Sequence, residues 1–283
     1  MLHTPFHLGG VTREPWRDLP NGRAARTHWF ALSDPHGASL AFSRLLEERP
    51  VDARLIVLGD IIDRGPGGLE ILRRLDADKD ALLLHGNHEL LAWCALRAKA
   101  HGWVQREAFR IWTAHGGDLT LRQFREELAS GREEPDPEHS EIPAIFGRIF
   151  RRMRPWHEDG DLFFVHGGVA PDHPEESLAA FSDPAGTPDG ANASEATWDT
   201  PYHYAWYRQP KSPIRTPVVI QGKPRLLVHG HTPLPPDACV TQQAINVDVG
   251  YGIKSAVEIK GRQFRRWFVK TDEIIGNLDH PVS

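Results

Sequence analysis

The sequence predicts an α/β fold, and three observations support that prediction. Short apolar runs recur along the 283-residue chain, and each of them stops at a cluster of polar residues. Amphipathic helical stretches separate the first three runs, and this alternation is typical of α/β proteins. Ligands bind such sheets at the carboxyl ends of the strands, so we expect the polar clusters to form the functional site.

Five apolar runs are predicted to be buried strands because they are short, continuous and followed by turn-forming residues. Helices are predicted between the first three, at Ala38 to Arg49 and at Leu69 to Leu75. After His231 the segments AINVDVGYG and KSAVEIKGRQFRRWFVK predict strands that complete a sheet. In chain order the five runs lie in THWFALSDPHG (27–37), RLIVLGDIIDRG (54–65), ALLLHGNHE (81–89), DLFFVHGG (161–168) and RLLVHGHT (225–232).

The stretch 93–157 differs from its surroundings in being rich in Arg and Glu. Helical spacing is visible in WVQREAFRIW and in IPAIFGRIFRRM, and the polar loop SGREEPDPEHS separates the two. We interpret this stretch as a helical cap inserted within a single domain that comprises residues 1–283.

Composition limits the classes of partner. The formal net charge is −5, and no block of Lys or Arg is present, so duplex nucleic acid is disfavoured. The two cysteines, Cys94 and Cys239, have no CxxC spacing, and the first ten residues lack the order of a secretory signal, so we expect a cytoplasmic protein. No apolar run approaches the roughly 20 residues of a membrane span, and no membrane partner is expected. The oligomeric state is left open.

The polar clusters at the strand ends share a set of oxygen and nitrogen donors. Taken singly, each cluster is explained by an ordinary turn or by a histidine at a strand end. Together they predict a metal centre, because a bridging Asp60 divides the donors naturally between two divalent ions. The set contains no cysteine, which favours Mn, Fe or Zn in a mixed N/O environment, with Mn the first choice. The donors are Asp34, His36, Asp60, Asn87, His166 and His231.

The motifs DPHG, GDIIDRG, GNHE, HGG and HGHT follow one another in this order. The ordered set resembles the signature of the phosphoprotein phosphatase branch of the calcineurin-like metallophosphoesterases, in particular of bacterial serine/threonine-protein-phosphatase-like members. Similar connecting segments, such as EDGDLFFVHGGVAP, extend the resemblance over nearly the whole chain after about Arg26. It implies a two-sheet sandwich flanked by helices, with a dinuclear centre at the sheet edge.

The resemblance also implies a role for each residue of the site. Asp34 and His36 correspond to ligands of the first metal, Asp60 to the bridge, and Asn87, His166 and His231 to ligands of the second. His88 corresponds to the general acid, Asp63 to the residue that orients it, and Arg64 to a phosphate-binding arginine. A second phosphate-binding arginine is implied between HGG and HGHT; Arg208 in AWYRQ is our first choice and Arg215 the second.

The predicted function is a metal-dependent phosphatase that hydrolyses phosphomonoesters, phosphoserine or phosphothreonine first among them, through a metal-bridging hydroxide. The segment HGHTP lacks the second histidine of a Gly-His-x-His ending, which favours monoesters over nucleic acids. A diadenosine polyphosphate hydrolase is the alternative enzyme, although that family usually has Asp in place of Glu89. A non-catalytic scaffold on the same fold is the alternative of another class. The expected partner is a phosphorylated protein or a small phosphoester.

Other conspicuous residues are assigned no catalytic role. His115 follows a helical stretch instead of a strand, and His229 alternates to the face opposite His231, so we expect neither to bind metal. The tryptophans Trp93, Trp103, Trp112 and Trp156 are expected to pack in the core instead of stacking on a nucleobase.

Overall fold

The computed structural model describes residues 8–96, 102–179, 203–208, 217–250 and 252–273. The five predicted strands and the two predicted helices are confirmed within one or two residues. The strands are β1 (Leu8–Arg13), β2 (Arg17–Asp18), β3 (Trp29–Leu32), β4 (Arg54–Val57), β5 (Leu82–Leu83), β6 (Pro135–Asp136), β7 (His139–Pro143), β8 (Trp156–Asp159), β9 (Leu162–Val165), β10 (Val218–Ile220), β11 (Lys223–His229), β12 (Ala244–Asn246), β13 (Ile253–Lys260) and β14 (Gln263–Thr271).

The helices are α1 (Ser39–Glu47), α2 (Gly68–Ala77), α3 (Asn87–Leu96), α4 (Gly102–Trp112), α5 (Asp118–Ala129), α6 (Ala144–Arg152) and α7 (Pro174–Ala179). A π-helical turn, Thr113–Gly117, joins α4 to α5. The backbone leaves helical geometry inside this turn, at His115 and Gly116. None of the helices in the described ranges has both the length and the apolar character that crossing a membrane requires.

The strands form two large sheets. The first has the order β1-β14-β13-β3-β4-β5, with β2 beside β14, and its β3, β4 and β5 are parallel. The second has the order β10-β11-β9-β8, and β12 also pairs with β11. In this sheet β9, β11 and β12 are parallel. The strands predicted after His231 are therefore divided between the sheets, because β12 pairs in the second while β13 and β14 pair in the first.

Alternation along the strands builds the two layers of core. Trp29, Ala31 and Ile56 of the first sheet lie in one buried cluster with Phe164 and Val228 of the second. The intervening residues belong to a separate cluster that includes the apolar faces of helices, among them Phe42 and Leu45 of α1 and Ile71 of α2. This period-two division is what two packed sheets with helices outside require. The predicted two-sheet sandwich flanked by helices is confirmed.

Residues 93–157 contain the two predicted helices, α4 and α6. The polar loop between them is not entirely irregular, because β6 and β7 pair in it as a short hairpin. Asp136 stabilises that hairpin: it is buried, its Oδ1 accepts the backbone N–H of Glu138 at 3.0 Å, and Arg151 pairs with its Oδ2. That this stretch acts as a cap within one domain stays a prediction.

Candidate active site

Strand ends from both sheets meet at one edge of the sandwich. The first sheet supplies donors after β3, β4 and β5, and the second supplies donors after β9 and β11. None of the six predicted ligands is more than 8% exposed, so none of them is a solvent-exposed turn residue. They are Asp34, His36, Asp60, Asn87, His166 and His231.

Two of the histidines turn the same ring nitrogen towards the backbone. Nδ1 of His36 lies 3.2 Å from the carbonyl oxygen of Ile62, and Nδ1 of His166 lies 2.7 Å from that of Leu58. A carbonyl oxygen only accepts, so in both rings Nδ1 donates its proton and Nε2 faces the cluster. This orientation is the one in which an imidazole binds a metal through Nε2.

The Asp60 carboxylate lies at the centre of the cluster. Its Oδ2 is 3.6 Å from Nε2 of His36 and 3.3 Å from Nε2 of His166. Burial alone raises the pKa of Asp60, but the charges of His166 and His88 outweigh burial and hold the pKa well below its usual range. Asp60 is therefore an anion placed between two sets of donors, as a bridging ligand has to be.

The donor atoms form two groups in which all atoms lie within 4.8 Å of one another: His36, Asp60 and His88 in one, and Asp60, His166 and His231 in the other. Nε2 of His231 is buried and has no hydrogen-bond partner in the described structure. Burial lowers the pKa of His36 and of His231 well below the usual value, so both rings are neutral and each has one nitrogen lone pair that can bind a metal. These residues fit two divalent ions.

Two further predicted ligands extend the groups. Oδ1 of Asn87 lies 3.1 Å from Nε2 of His166, and Oδ1 of Asp34 lies 3.9 Å from Nε2 of His36. Against the effect of burial, the Asp60 charge raises the pKa of His166 to about 9. Metal binding at His166 therefore requires the loss of a proton.

His88 lies beside the cluster but is anchored differently from the other rings. Its Nδ1 is 2.6 Å from Oδ2 of Asp63, a carboxylate with no exposed surface, and its Nε2 is 3.9 Å from Oδ2 of Asp60. The position permits a ligand or an acid. The pairing with a buried carboxylate favours the acid, because it fixes the orientation of the ring.

Arg64 spans the two imidazoles. Its Nη1 lies 2.9 Å from Nε2 of His36, and its Nη2 lies 3.0 Å from Nε2 of His88. Both guanidinium nitrogens therefore face the donor cluster. A planar fork matches two phosphate oxygens at once, which a single ammonium group does not.

We expect Arg64→Lys to lower kcat/KM by about 10- to 100-fold although the charge is kept, because one charge-assisted hydrogen bond is worth about 1.5–3 kcal/mol. Steady-state kinetics on a phosphoester measures the loss. Arg225→Lys is the matched control. Arg225 is buried, and its guanidinium group also binds through two nitrogens, but to Gly160 and Glu158 instead of residues of the site. Wild-type kinetics in the Arg64 variant would remove Arg64 from the site.

The backbone is strained where it carries these side chains. A non-glycine residue in the left-handed region costs on the order of 1–3 kcal/mol when the surroundings force it there. Apart from Asn21 and Gln221, every non-glycine residue with positive φ in the described ranges belongs to the site. These residues are Asp34, His36, Asp60, Asp63, Arg64 and His231.

Glu89 holds the backbone of the loop after β4, a role that the sequence did not predict. Its carboxylate accepts the backbone N–H groups of Asp60 at 2.9 Å, Ile61 at 2.7 Å and Ile62 at 3.2 Å. It also accepts the N–H of Gly86 at 3.1 Å, and a Cβ at Gly86 would lie 2.7 Å from Oε2 of Glu89. A glutamate three residues after a helix N-cap is a capping signal. Of these four hydrogen bonds, the sequence therefore indicated only the one from Gly86.

Asp34 is held by two residues with no assigned role in the sequence interpretation. The hydroxyl of Ser33 donates to Oδ2 of Asp34. Nζ of Lys254, buried on β13, donates to the backbone carbonyl of Asp34 at 2.5 Å. Asp34 is thus held by the preceding residue of the chain and by β13, the strand that pairs with β3.

The two candidate arginines and two further histidines of the sequence analysis lie as follows. Arg208 is exposed, and its charge contributes to the lowered pKa of His231; its role in phosphate binding stays a prediction. Arg215 lies outside the described residues. His229 is buried with Nδ1 3.1 Å from the carbonyl of Gly230, as expected of a packed histidine. His115 donates from Nδ1 to the carbonyl of Ile111 at 2.7 Å and is not in the metal groups.

The tryptophan predictions are confirmed where they are tested. Trp93 and Trp112 are buried, and Trp156 is partly buried against the main core. The side chain of Trp103 lies outside the described part of the chain.

A comparison with protein families supplies the deciding observation. The model of the family "calcineurin-like phosphoesterase" matches residues 30–251, which is more than half of the chain and includes every donor of the site. The chain belongs to the calcineurin-like phosphoesterase family. This family has a dinuclear metal centre, and the two donor groups match that number of ions.

Individual proteins are also similar to this chain. A symmetrical bis(5'-nucleosyl)-tetraphosphatase of Acidovorax sp. is 32% identical over 158 residues, covering 54% of this chain and 48% of the relative. One of Methylobacillus flagellatus is 27% identical over 203 residues, covering 70% and 61%. The chain thus spans about half the length of the first of these calcineurin-like relatives. The protein-tyrosine phosphatase of a psychrophilic Shewanella shares the fold, with a TM-score of 0.51, 17% identity and coverage of 85% and 77%.

Proposed function

We propose that this chain is a metal-dependent hydrolase that cleaves dinucleoside tetraphosphates into two nucleoside diphosphates. The observation that carries the proposal is the placement of the Arg64 fork and the His88–Asp63 pair beside an Asp60-centred donor cluster. The symmetrical bis(5'-nucleosyl)-tetraphosphatases among the relatives support a phosphoanhydride as the bond that is cleaved.

Two divalent ions, when bound, would activate water at neutral pH and neutralise charge on the substrate. We assign the first ion to Asp34, His36 and Asp60, and the second to Asp60, Asn87, His166 and His231. Nitrogen and oxygen donors without thiolate suit Mn, Fe or Zn, and we propose Mn²⁺.

The residues of this chain then divide the work. Arg64 binds two oxygens of the attacked phosphate, and Arg208 is proposed to bind a further one. Water adds to the phosphorus of the attacked phosphate, and the bond from that phosphorus to the bridging oxygen breaks. Nε2 of His88 donates a proton to the bridging oxygen, which leaves with the nucleoside diphosphate. Asp63 keeps the His88 ring in the orientation that this transfer needs.

Phosphoserine or phosphothreonine in a protein is the second candidate substrate. Two observations favour it. Glu89 stands where diadenosine polyphosphate hydrolases usually have Asp. The buried His88–Asp63 pair is a general acid, and a general acid accelerates the reaction most when the leaving group needs a proton. An alkoxide needs that proton far more than a diphosphate does.

The test is a comparison of diadenosine tetraphosphate, a phosphoserine peptide and p-nitrophenyl phosphate, each with added Mn²⁺, with product analysis by chromatography. We expect kcat/KM to be at least about tenfold higher for diadenosine tetraphosphate, with ADP as its nucleotide product, and all activity to be lost with a chelator, since the donor cluster generates no nucleophile without ions.

Each contrary outcome of this comparison would favour a different function. Preference for the phosphopeptide would put the second candidate first. Release of AMP and ATP would show asymmetric cleavage, contrary to the proposal. No activity on any substrate by a protein that binds two ions would favour the non-catalytic scaffold.

A further inference from the structure

The π-helical turn between α4 and α5 lies directly against the loop that carries Asp63 and Arg64. The N–H of Arg64 donates to the carbonyl of Gly116 at 3.4 Å, and Nε of Arg64 is 3.4 Å from the carbonyl of His115. On α5, the hydroxyl of Thr120 accepts the N–H of Asp63 at 2.9 Å. The stretch predicted as a cap is therefore hydrogen-bonded to the catalytic loop.

The last residue of α4 reaches the acid pair itself. Nε1 of Trp112 donates to Oδ2 of Asp63 at 2.8 Å, the same oxygen that lies 2.6 Å from Nδ1 of His88. Oδ1 of Asp63 is buried and has no hydrogen-bond partner in the described structure. The orientation of this carboxylate therefore rests on two donors that share one oxygen.

Gly117 shows that the place of the indole is built into the chain. A Cβ at Gly117 would lie 2.4 Å from Nε1 of Trp112 and 2.5 Å from two of its ring carbons. The φ of Gly117 is −70°, which any residue adopts, so close contact with the indole is the reason that this position needs glycine. Packing against Trp112 thus explains the second glycine of the His-Gly-Gly segment at 115–117, which resembles a metal motif.

We propose that Trp112 is a positioning residue that holds Asp63, and through it His88, in the geometry for proton donation; this rests on the proposed function of the His88–Asp63 pair. Rotation of a carboxylate about its last torsion is soft and roughly two-fold. Without the indole, Asp63 is free to present either oxygen to His88. The ring then loses its fixed direction although both members of the pair are present.

The proposal predicts a loss that depends on the leaving group. Phenyl phosphate needs protonation of its departing oxygen more than p-nitrophenyl phosphate does. We expect Trp112→Phe to lower kcat about tenfold on phenyl phosphate and less than about twofold on p-nitrophenyl phosphate, at the low end of the effects of residues that orient a functional group. KM and metal content should stay at wild-type values, because the indole N–H of Trp112 binds Asp63, which is neither a predicted metal ligand nor a predicted phosphate-binding residue.

Trp29→Phe is the matched control. Trp29 is equally buried, and its Nε1 donates to Oδ2 of Asp159 at the same 2.8 Å, at the end of β3 remote from the site. It should slow both esters by one common factor or not at all. Gly117→Ala is the second variant: it keeps the indole N–H but forces the ring away, and it should reproduce the leaving-group dependence of Trp112→Phe.

The outcomes separate the inference from the function on which it rests. If the wild-type protein hydrolyses neither these esters nor diadenosine tetraphosphate with Mn²⁺, the proposed function fails and the inference fails with it. If the wild type is active but Trp112→Phe and Gly117→Ala slow both esters equally, as a structural defect does, the inference alone is overturned. An unfolded Trp112→Phe leaves Gly117→Ala to decide between the same two results.

Discussion

Replacing Asp60 with asparagine should remove both metal ions and lower kcat by about a thousandfold or more. The Asp60 carboxylate is the atom group that the two donor groups share, and its Oδ2 lies 3.6 Å from His36 and 3.3 Å from His166. A neutral amide bridges two cations poorly. Loss of the several kcal/mol that the ions contribute to the transition state corresponds to roughly a factor of ten for each 1.4 kcal/mol.

Metal content by elemental analysis and binding isotherms for Mn²⁺ measure this effect independently of turnover. Asn87→Ala is the companion variant and should weaken mainly the second ion, because Oδ1 of Asn87 lies 3.1 Å from Nε2 of His166, a ligand assigned to that ion. Asp159→Asn is the matched control, since Asp159 is a buried aspartate that binds Trp29 and the backbone instead of the site. Equal loss of both ions in the Asn87 variant would refute the division of ligands.

Most of the fold was predictable because strand period and helix period are local properties of the sequence. Each buried strand ended at a polar cluster, and parallel strands carry their carboxyl ends to the same edge. That rule brought Asp34, Asp60 and Asn87 together without any knowledge of the sheets. Their roles, by contrast, came from resemblance, and the geometry is compatible with them without assigning them.

Two features were not predictable from local pattern. The division of the last strands between two sheets depends on which edge each strand finds, and alternation along a strand does not specify a partner. The hairpin formed by β6 and β7 lies in a segment of polar residues, and an ion pair between Asp136 and Arg151 stabilises it across 15 positions. Such pairing is a tertiary interaction.

The supporting residues of the site were hardest to find. Trp112 was correctly expected in the core, yet burial alone does not reveal that its one polar atom faces Asp63. Lys254 lies 220 positions from Asp34, and nothing in the β13 sequence distinguishes it from a surface lysine. Residues that bind metal or phosphate share motifs, whereas residues that orient them are selected by the local shape of one structure.

His88→Asn should slow hydrolysis of a phosphoserine peptide by about 100-fold or more while leaving the metals bound. A general acid contributes in proportion to the need of the departing oxygen for a proton, and a serine alkoxide needs it most. We expect a loss of less than about tenfold on p-nitrophenyl phosphate, and a similarly small loss on diadenosine tetraphosphate, whose departing diphosphate spreads its charge. Single-turnover rates and metal content together provide the measurement, because they separate the chemical step from binding.

The competing role of His88 predicts a different pattern. Its Nε2 lies within the donor group of the first ion, so a ligand at this position would release metal when replaced and would slow all three substrates alike. Asp63→Asn should give the leaving-group pattern in milder form, since the acid is kept but loses its carboxylate partner. His157→Asn, which removes an imidazole packed against Trp29 on the remote end of the sandwich, should leave the ratios between substrates unchanged. Loss of metal in the His88 variant, or one common factor on every substrate, would make His88 a ligand or a structural residue and leave the reaction without an assigned acid.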